Sequence, residues 1–304
     1  MTSQQYAYII AIEQANNLSD AAKKLDITLP YLSKQVQLIE NELGVTILNR
    51  SLSSTQLNDT GKEVAQSARC ILLQERRMKQ EMVDLMDQRT GVLAIGAGSY
   101  RSTYMLPKIL PDFYRKYRGT RIQLVEGPIE LMEALVLEGK VDLAITVDPS
   151  ENRLIHNQYL GREELVLAVP SCYPIKSNEK RKDKPFASIR LHDLGKIPFI
   201  SLTEGTSLHD LTENILKKEK YEPISKLESK SLEAIYALVL EGVGAAIVPV
   251  TIIDNDVFME TPQCFSLGED GYYRNIYAIY RADSYLSKAC IDFQLLLKSS
   301  LNHC

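Results

Sequence analysis

The chain has 304 residues, a hydrophobic content of 45% and a formal net charge of −4. This length is sufficient for two or three compact domains with sizeable cores. No apolar run is long enough to cross a bilayer, and the N-terminal residues MTSQQYAYII lack the charged and apolar blocks of a signal peptide. The composition therefore argues against a membrane or secreted protein and predicts a cytoplasmic location.

Residue types that bind metals are scattered along the sequence. The five cysteines include no CxxC pair, and the four histidines lie in no metal-type spacing. The cysteines are Cys70, Cys172, Cys264, Cys290 and Cys304. We expect reduced thiols, no metal site and no cofactor.

Motifs for enzymatic chemistry are also missing. Gly96-Ala97-Gly98 follows a predicted strand, but Arg101 occupies the third-glycine position of a dinucleotide-binding fingerprint. The sequence contains neither a P-loop nor a GxSxG motif. We therefore predict no catalytic residue and no enzymatic activity.

Residues 19–43 predict two short helices joined by a tight turn. Ser19 is in position to cap the first helix through its hydroxyl. The second helix has one apolar stripe, consisting of Leu32, Val36, Ile39 and Leu43. Its opposite face presents polar groups suited to base edges and phosphates. A helical hairpin of this kind also occurs in ordinary all-helical cores, so the next segments are needed to interpret it.

The segment after Gly44 alternates between apolar and polar residues and predicts a two-stranded wing that carries Arg50. From Thr60 to Arg89 there is no proline, which predicts one long helix. Its helically spaced apolar side chains would lie in water if the helix were only a spacer. Pairing with a second copy of the chain explains the stripe better.

Together, these motifs resemble the winged helix-turn-helix and linker helix of LysR-type transcriptional regulators. The resemblance rests on AAxxL at 21–25, PxLSKQV at 30–36, LIExELGV at 38–45, LxR at 48–50 and LxxTG at 57–61. The rest of the chain resembles the effector-binding domain of that family. The resemblance implies a DNA-binding domain over 1–60, a linker and dimerisation helix over 61–89 and an effector domain over 90–304.

From Thr90 onward, short apolar runs alternate with helical stretches, which is typical of an α/β domain. Strands are predicted at 92–96, 121–126, 143–146, 165–169, 199–202, 224–227, 245–248, 263–267 and 276–280, and helices at 105–117, 129–138, 208–218, 232–240 and 287–299. The resemblance implies a two-lobed, periplasmic-binding-protein-like fold with crossings near 162–165 and 264–270. Lobe I would comprise about 90–163 and 268–304, and lobe II about 164–267.

The DNA-reading surface follows from the resemblance. Thr28, Pro30, Ser33 and Lys34 would face DNA, and Arg50 would contact the backbone or the minor groove. Leu29 and Tyr31 depart from the polar and small residues common in the family, and they either meet thymine methyl groups or pack against the scaffold. The first 60 residues carry four basic and six acidic side chains. Non-specific DNA binding should therefore be modest and salt-sensitive.

The resemblance also places an effector between the lobes, where polar loops follow the strands. The candidate effector-binding residues are Ser99, Tyr100, Arg101, Thr103, Thr146, Ser201 and Thr203. Each serine or threonine has the alternative role of a helix cap or turn. Arg101 either pairs with a carboxylate or phosphate on the effector or faces solvent. The basic stretch 176–184 either binds an acidic partner or is a surface loop.

Two functional interpretations follow. The first is a regulator that binds an interrupted inverted repeat of double-stranded DNA as a homodimer or homotetramer and responds to an unidentified small-molecule effector. The family resemblance adds contact with RNA polymerase and no association with a membrane. The second is a cytoplasmic small-molecule-binding protein whose N-terminal helices serve only for oligomerisation. The wing and the exposed Ser33-Lys34 face favour the regulator, because oligomerisation requires neither.

Overall fold

The computed structural model describes residues 1–50, 55–86, 89–175, 185–224, 226–253, 261–268 and 270–301, without the side chains of residues 50, 55 and 226. It divides into two compact units, residues 1–88 and 89–304. The elements of the first unit are α1 (Ser3–Glu13), α2 (Leu18–Lys24), α3 (Leu29–Leu43), β1 (Leu48–Arg50), β2 (Thr55–Leu57) and α4 (Asp59–Leu85). The basic stretch 176–184 and Cys304 lie outside the described residues.

The helix-turn-helix consists of α2 and α3, which pack with α1 around one apolar core. The side chain of Asn17 caps α2 by accepting a hydrogen bond from the Asp20 N–H at 2.9 Å. The prediction that Ser19 caps this helix is therefore wrong, because Ser19 lies inside the first turn. Leu32, Val36 and Ile39 are buried as predicted. Leu43 is 39% exposed, because α3 ends there, and the stripe is one residue shorter than predicted.

The wing is a two-stranded antiparallel ribbon of β1 and β2, as predicted. Leu48 lies opposite Leu57, and both side chains are buried. At the start of α4, a Cβ on Gly61 would lie 2.3 Å from the Ile47 carbonyl oxygen, so only glycine fits this approach. The wing is therefore held directly against the end of the long helix.

Helix α4 is continuous over its 27 residues, as the absence of proline predicted. Its first turns are buried at Gly61, Ala65 and Ala68. Beyond them, large apolar side chains are exposed in this unit. We call these residues the linker stripe: Ile71, Met78, Met82, Leu85 and Met86. The spacing of the first four places them on one face of the helix.

In the described residues, the second unit contains ten strands and seven α-helices. They are β3 (Thr90–Ala97), α5 (Ser99–Tyr104), α6 (Leu106–Lys116), β4 (Gly119–Glu126), α7 (Met132–Leu137), β5 (Leu143–Val147), β6 (Ile155–Val169), β7 (Ala187–Ile189), β8 (Phe199–Leu202), α8 (Ser207–Lys218), β9 (Lys226–Ser229), α9 (Leu232–Leu240), β10 (Ala246–Pro249), α10 (Val250–Ile253), β11 (Gln263–Leu267), β12 (Tyr272–Arg281) and α11 (Lys288–Leu301).

One sheet runs through both lobes of this unit. Its strand order is β4-β3-β5-β12-β6-β11-β7, with β10 also paired to β6, while β8 and β9 form a separate parallel pair. Strand β6 pairs with β12 along residues 155–165 and with β10 and β11 along residues 165–169. The sequence predicted only 165–169 as a strand, because residues 156–164 are largely polar and lack an apolar run. The two long strands β6 and β12 thus connect the lobes.

The structure adds a short helix and a 3-10 turn to the predicted elements. The predicted helix 105–117 is confirmed as α6, with Pro107 in its first turn, and the separate short helix α5 precedes it over residues that were predicted as a loop. The predicted helix 129–138 begins as a 3-10 turn over Ile129–Leu131. The first change moves Ser99 and Arg101 from a loop onto a helix.

In the part of the chain that the structure describes, no helix is both long and apolar enough to cross a membrane. The same residues contain no cluster of His, Cys, Asp or Glu that could hold a metal ion. Cys70, Cys172 and Cys290 are free thiols. Burial raises the pKa of Cys290 to about 12, so this thiol is unreactive at neutral pH.

Candidate functional site

The candidate contact surface of α3 lies at its N-terminal turn. Thr28 caps the helix by accepting a hydrogen bond from the Tyr31 N–H at 3.4 Å, and Pro30 lies in the first turn. Lys34 is exposed and Ser33 is half-buried. Tyr31 packs against the scaffold, which is one of its two predicted roles, because its ring contacts the Tyr8 ring edge-on with centroids 6.4 Å apart, and it remains 44% exposed. This turn therefore presents a cation, hydroxyl groups and apolar surface together.

The wing places Arg50 at the end of β1, where its backbone pairs with Thr55. The side chain of Arg50 lies outside the described atoms, so its predicted DNA contact stays a prediction. Leu29 is exposed beside Tyr31, as it would need to be to meet a thymine methyl group.

A cavity of about 570 Å³, here called the front cavity, lies within the second unit at the ends of strands from both lobes. Its lining consists of Gly98, Ser99, Tyr100, Arg101, Gly127, Pro128, Ile129, Glu130, Leu202, Thr206, Ser207, Leu208, Lys230, Ser231, Leu232, Glu233 and Arg274. Two helices begin at this cavity, α8 after its cap Thr206 and α9 after its cap Ser231. Helix N-termini attract negative charge, so the backbone itself favours an anion here.

A buried charge network forms the base of the front cavity. One carboxylate oxygen of Glu163 accepts hydrogen bonds from Arg101 Nη2 at 3.1 Å and from Arg274 Nε at 2.6 Å. The other oxygen accepts hydrogen bonds from the Thr251 hydroxyl at 2.7 Å and the Tyr100 hydroxyl at 3.2 Å. Two guanidinium groups therefore share a single carboxylate, so the network itself carries an excess positive charge.

Arg101 has a further hydrogen-bonding group that the network does not use. The side chain is only 3% exposed, so the predicted alternative in which it faces solvent is wrong. Its Nη1 atom is buried and has no hydrogen-bond partner among the described residues. Because Arg101 lines the front cavity, this free donor marks a position for an acceptor atom on a ligand.

The network controls the ionisation of its members. Burial by itself would raise the pKa of Glu163, but Arg274 and Arg101 lower it to about 2. Burial lowers the pKa of Arg101, and the Glu163 carboxylate opposes this effect. Burial and Glu163 raise the pKa of Tyr100. At neutral pH the network thus consists of an ionised carboxylate, two guanidinium cations and a neutral phenol.

Of the predicted effector-binding residues, Ser99, Tyr100 and Arg101 line the front cavity. The other four lie outside its lining. Thr103 is exposed on α5, and Thr203 is the residue whose carbonyl accepts the hydroxyl of the cap Thr206. Thr146 and Ser201 lie inside strands β5 and β8, where their side chains are buried.

Sequence reasoning missed several lining residues. Lys230 and Ser231 precede α9, Thr206 precedes α8, and Arg274 lies on β12. Ser231 had a detectable signal, since it stands directly before the predicted helix 232–240 as a cap does, whereas Thr206 stands two residues before the predicted helix 208–218. Arg274 had none, because only the pairing of β12 with β6 brings it opposite Glu163.

Family comparisons agree with the two-unit organisation. A family model described as the LysR substrate binding domain matches residues 86–302, and one described as a bacterial regulatory helix-turn-helix protein of the lysR family matches residues 3–62. A probable RuBisCO transcriptional regulator of Emiliania huxleyi is 30% identical, with 84% of this chain and 81% of that protein covered. A protein of the same description from Trieres chinensis is 27% identical, with 95% and 93% covered.

Solved structures share the fold. A full-length OxyR variant from Pseudomonas aeruginosa matches with a TM-score of 0.70 and 23% identity, covering 100% of this chain and 95% of that one. Full-length CbnR in complex with its target DNA matches with a TM-score of 0.56 and 22% identity, covering 99% and 100%. The chain therefore belongs to the LysR family and is a transcriptional regulator with a DNA-binding helix-turn-helix domain and an effector-binding domain.

Proposed function

We propose that this regulator binds an interrupted inverted repeat through α3 and the wing, as a homodimer or homotetramer, and responds to a small anionic effector in the front cavity. The effector class is carried by one observation, the buried Arg101 Nη1 donor that has no partner among the described residues. We further infer that it acts in the cytoplasm, without enzymatic activity, and that DNA-bound assemblies contact RNA polymerase.

The surroundings of Arg101 support an anionic ligand. Lys230 is exposed at the lining, and the N-termini of α8 and α9 add partial positive charge. Glu130 and Glu233 are the acidic lining residues, and Glu233 accepts a hydrogen bond from the Ser231 hydroxyl at 2.8 Å. A ligand with a carboxylate or phosphate at Arg101 and hydroxyl groups toward the glutamates matches this lining.

The linker stripe supports the homodimer. Its apolar side chains are exposed on α4, and pairing with a second copy would bury them. Two-fold pairing presents two α3 helices to two half-sites, which accounts for the inverted repeat. An effector that binds one arrangement of the two lobes better than another would shift the population of DNA-bound assemblies.

The test is a fluorescence titration of the protein against DNA from upstream of its own gene, beside scrambled DNA, at two salt concentrations. We expect specific binding that weakens with salt, because phosphate contacts release counterions. Lys34→Ala should weaken specific binding by about fivefold to tenfold, which is the scale of one lost phosphate or base contact per half-site.

The matched control is Lys196→Ala, which removes an exposed lysine of the second unit. It should bind as the wild type does. Equal affinity for specific and scrambled DNA at both salt concentrations would contradict the proposed operator, and unchanged affinity in folded Lys34→Ala would remove Lys34 from the reading surface.

A further inference from the structure

A second cavity, here called the rear cavity, lies on the other face of the strands that connect the lobes. Its volume is about 430 Å³. It is lined by Tyr159, Leu160, Gly161, Arg162, Glu164, Pro185, Val250, Tyr273, Lys298 and Leu301. None of these residues lines the front cavity.

Neighbouring residues of β12 line different cavities, since Arg274 lines the front cavity and Tyr273 lines the rear cavity. In the ladder Arg274 lies opposite Glu163, and Tyr273 lies opposite Glu164. Side chains alternate along a strand, and directly opposed residues share a face. The Glu163–Arg274 pair therefore faces the front cavity, whereas its neighbours Arg162, Glu164 and Tyr273 face the rear cavity.

The rear cavity has an apolar floor and a cationic, aromatic rim. Leu160, Val250 and Leu301 are buried at the floor. The rim residues are exposed, and they are Tyr159, Arg162, Tyr273 and Lys298. Such a lining suits a small molecule that has an apolar part and a charged end.

Glu164 supplies a buried polar group at this floor. It is only 7% exposed, and its Oε1 atom has no hydrogen-bond partner among the described residues. A buried carboxylate oxygen is costly without a donor, and such groups in folded proteins are normally satisfied. The missing donor identifies one end of the ligand as an ammonium or another N–H or O–H group.

Arg162 defines the other end. Its guanidinium carbon lies 4.4 Å from the centre of the Tyr273 ring, and no ion pair with it is formed among the described residues. Lys298 adds a second cation at the rim. Two residues separated by one position on a strand lie on the same face, about 7 Å from each other. A hydrogen-bond donor and an anionic group on adjacent atoms of one ligand can therefore reach Glu164 and Arg162 together.

We propose that the rear cavity binds a small zwitterion with an apolar side chain, of the α-amino acid class. Its ammonium group donates to Glu164, its carboxylate pairs with Arg162 and Lys298, and its side chain packs on Leu160, Val250 and Leu301. This site lies beyond the proposed effector site, and its occupancy is measurable without DNA or an effector.

The test uses L-leucine as the probe, with full-length protein and isothermal titration calorimetry. We expect a dissociation constant below about 1 mM. Two truncated probes separate the ends of the molecule: 4-methylpentanoate lacks the ammonium group and 3-methylbutylamine lacks the carboxylate. Each should bind about tenfold or more weakly than leucine.

Variants assign the site. Glu164→Gln should weaken leucine binding about tenfold and remove the preference for leucine over 4-methylpentanoate, whereas Arg162→Ala should remove the preference for leucine over 3-methylbutylamine. Glu151→Gln, an exposed carboxylate on the same unit, serves as the control and should bind as the wild type does. Thermal unfolding measures whether each variant is folded. If Glu164→Gln does not fold, Arg162→Ala still tests the site.

Two results would overturn the proposal. The first is no heat of binding for leucine at millimolar concentration. The second is leucine binding that both Glu164→Gln and Arg162→Ala leave unchanged, which would place the amino acid elsewhere, including in the front cavity.

Discussion

Glu163 lies between two arginines, and both of its carboxylate oxygens accept hydrogen bonds. Removing its charge leaves Arg101 and Arg274 buried together without a countercharge. Breaking a buried ion pair by removing one partner costs about 3–5 kcal/mol. We therefore expect Glu163→Gln to lower the free energy of unfolding of the second unit by about 3 kcal/mol at neutral pH, measured by urea denaturation and circular dichroism.

The same residue predicts how stability depends on pH. Its pKa is about 2 in the folded chain and about 4.3 in an unfolded one, so its contribution is complete above about pH 5 and is lost as the pH falls toward 2. The wild type should lose stability over this range more steeply than Glu163→Gln. Glu151→Gln, which removes an exposed carboxylate, should follow the wild type. Parallel curves for wild type and Glu163→Gln would show that Glu163 is not the group that titrates.

The variant Arg101→Ala separates the structural role of the charge network from its proposed role in effector binding. Glu163 keeps its contact with Arg274 in this variant. We expect Arg101→Ala to bind operator DNA as the wild type does and to lose its response to an anionic effector. The measurement is the operator titration with and without small carboxylates and phosphate esters. A variant that responds fully would show that the Nη1 donor does not meet the effector.

At the scale of elements, the linker stripe makes a direct prediction. Met82→Glu places a charge in the middle of the apolar surface that two copies would bury, which is unfavourable without a partner. We expect the dimer to dissociate at least about tenfold more readily, as measured by analytical ultracentrifugation. Gln66→Glu adds the same charge on another exposed face of α4 and should leave the mass unchanged. A Met82→Glu dimer of wild-type stability would place the interface on other residues.

The sequence predicted some elements well for physical reasons. The stripe of α3, the wing and the uninterrupted α4 depend on local periodicity and on the absence of proline. Strand β6 was mostly missed, since residues 156–164 owe their extended form to pairing with β12 rather than to their own apolar content. Helix α5 was missed, because its sequence SYRSTY is short and polar and lacks a helical apolar stripe.

Site residues that follow a single strand were predictable from the sequence. Site residues that several elements bring together were not. Ser99, Tyr100 and Arg101 come from the single turn after β3, and a strand-to-helix junction is recognisable in one sequence. Lys230 and Arg274 reach the same cavity only through the packing of α9 and the pairing of β12 with β6. The number of residues between these positions in the sequence does not predict that they lie close together in the fold.

At the scale of the whole molecule, two half-sites should bind cooperatively through one dimer. We expect an operator with one half-site scrambled to bind about 100-fold more weakly and to show about half the dependence of log affinity on log salt, because half of the phosphate contacts are lost. Fluorescence anisotropy at several salt concentrations measures both quantities. Equal salt dependence on the two DNAs would contradict recognition by paired subunits.

The alternation along residues 162–164 fixes the length of this part of the chain. Glu163 contacts Arg101 and Arg274 of the front cavity, and its two neighbours line the rear cavity, so a substitution on one face leaves the side chains of the other face in place. Length cannot, because deleting one residue of β6 outside the bulge at Leu160 would turn over the side chains on one side of the deletion. Arg162 and Glu164 would then share a face with Arg274, and Glu163 would enter the rear cavity. Insertions and deletions in related chains should consequently avoid this segment, even where its amino acids differ completely.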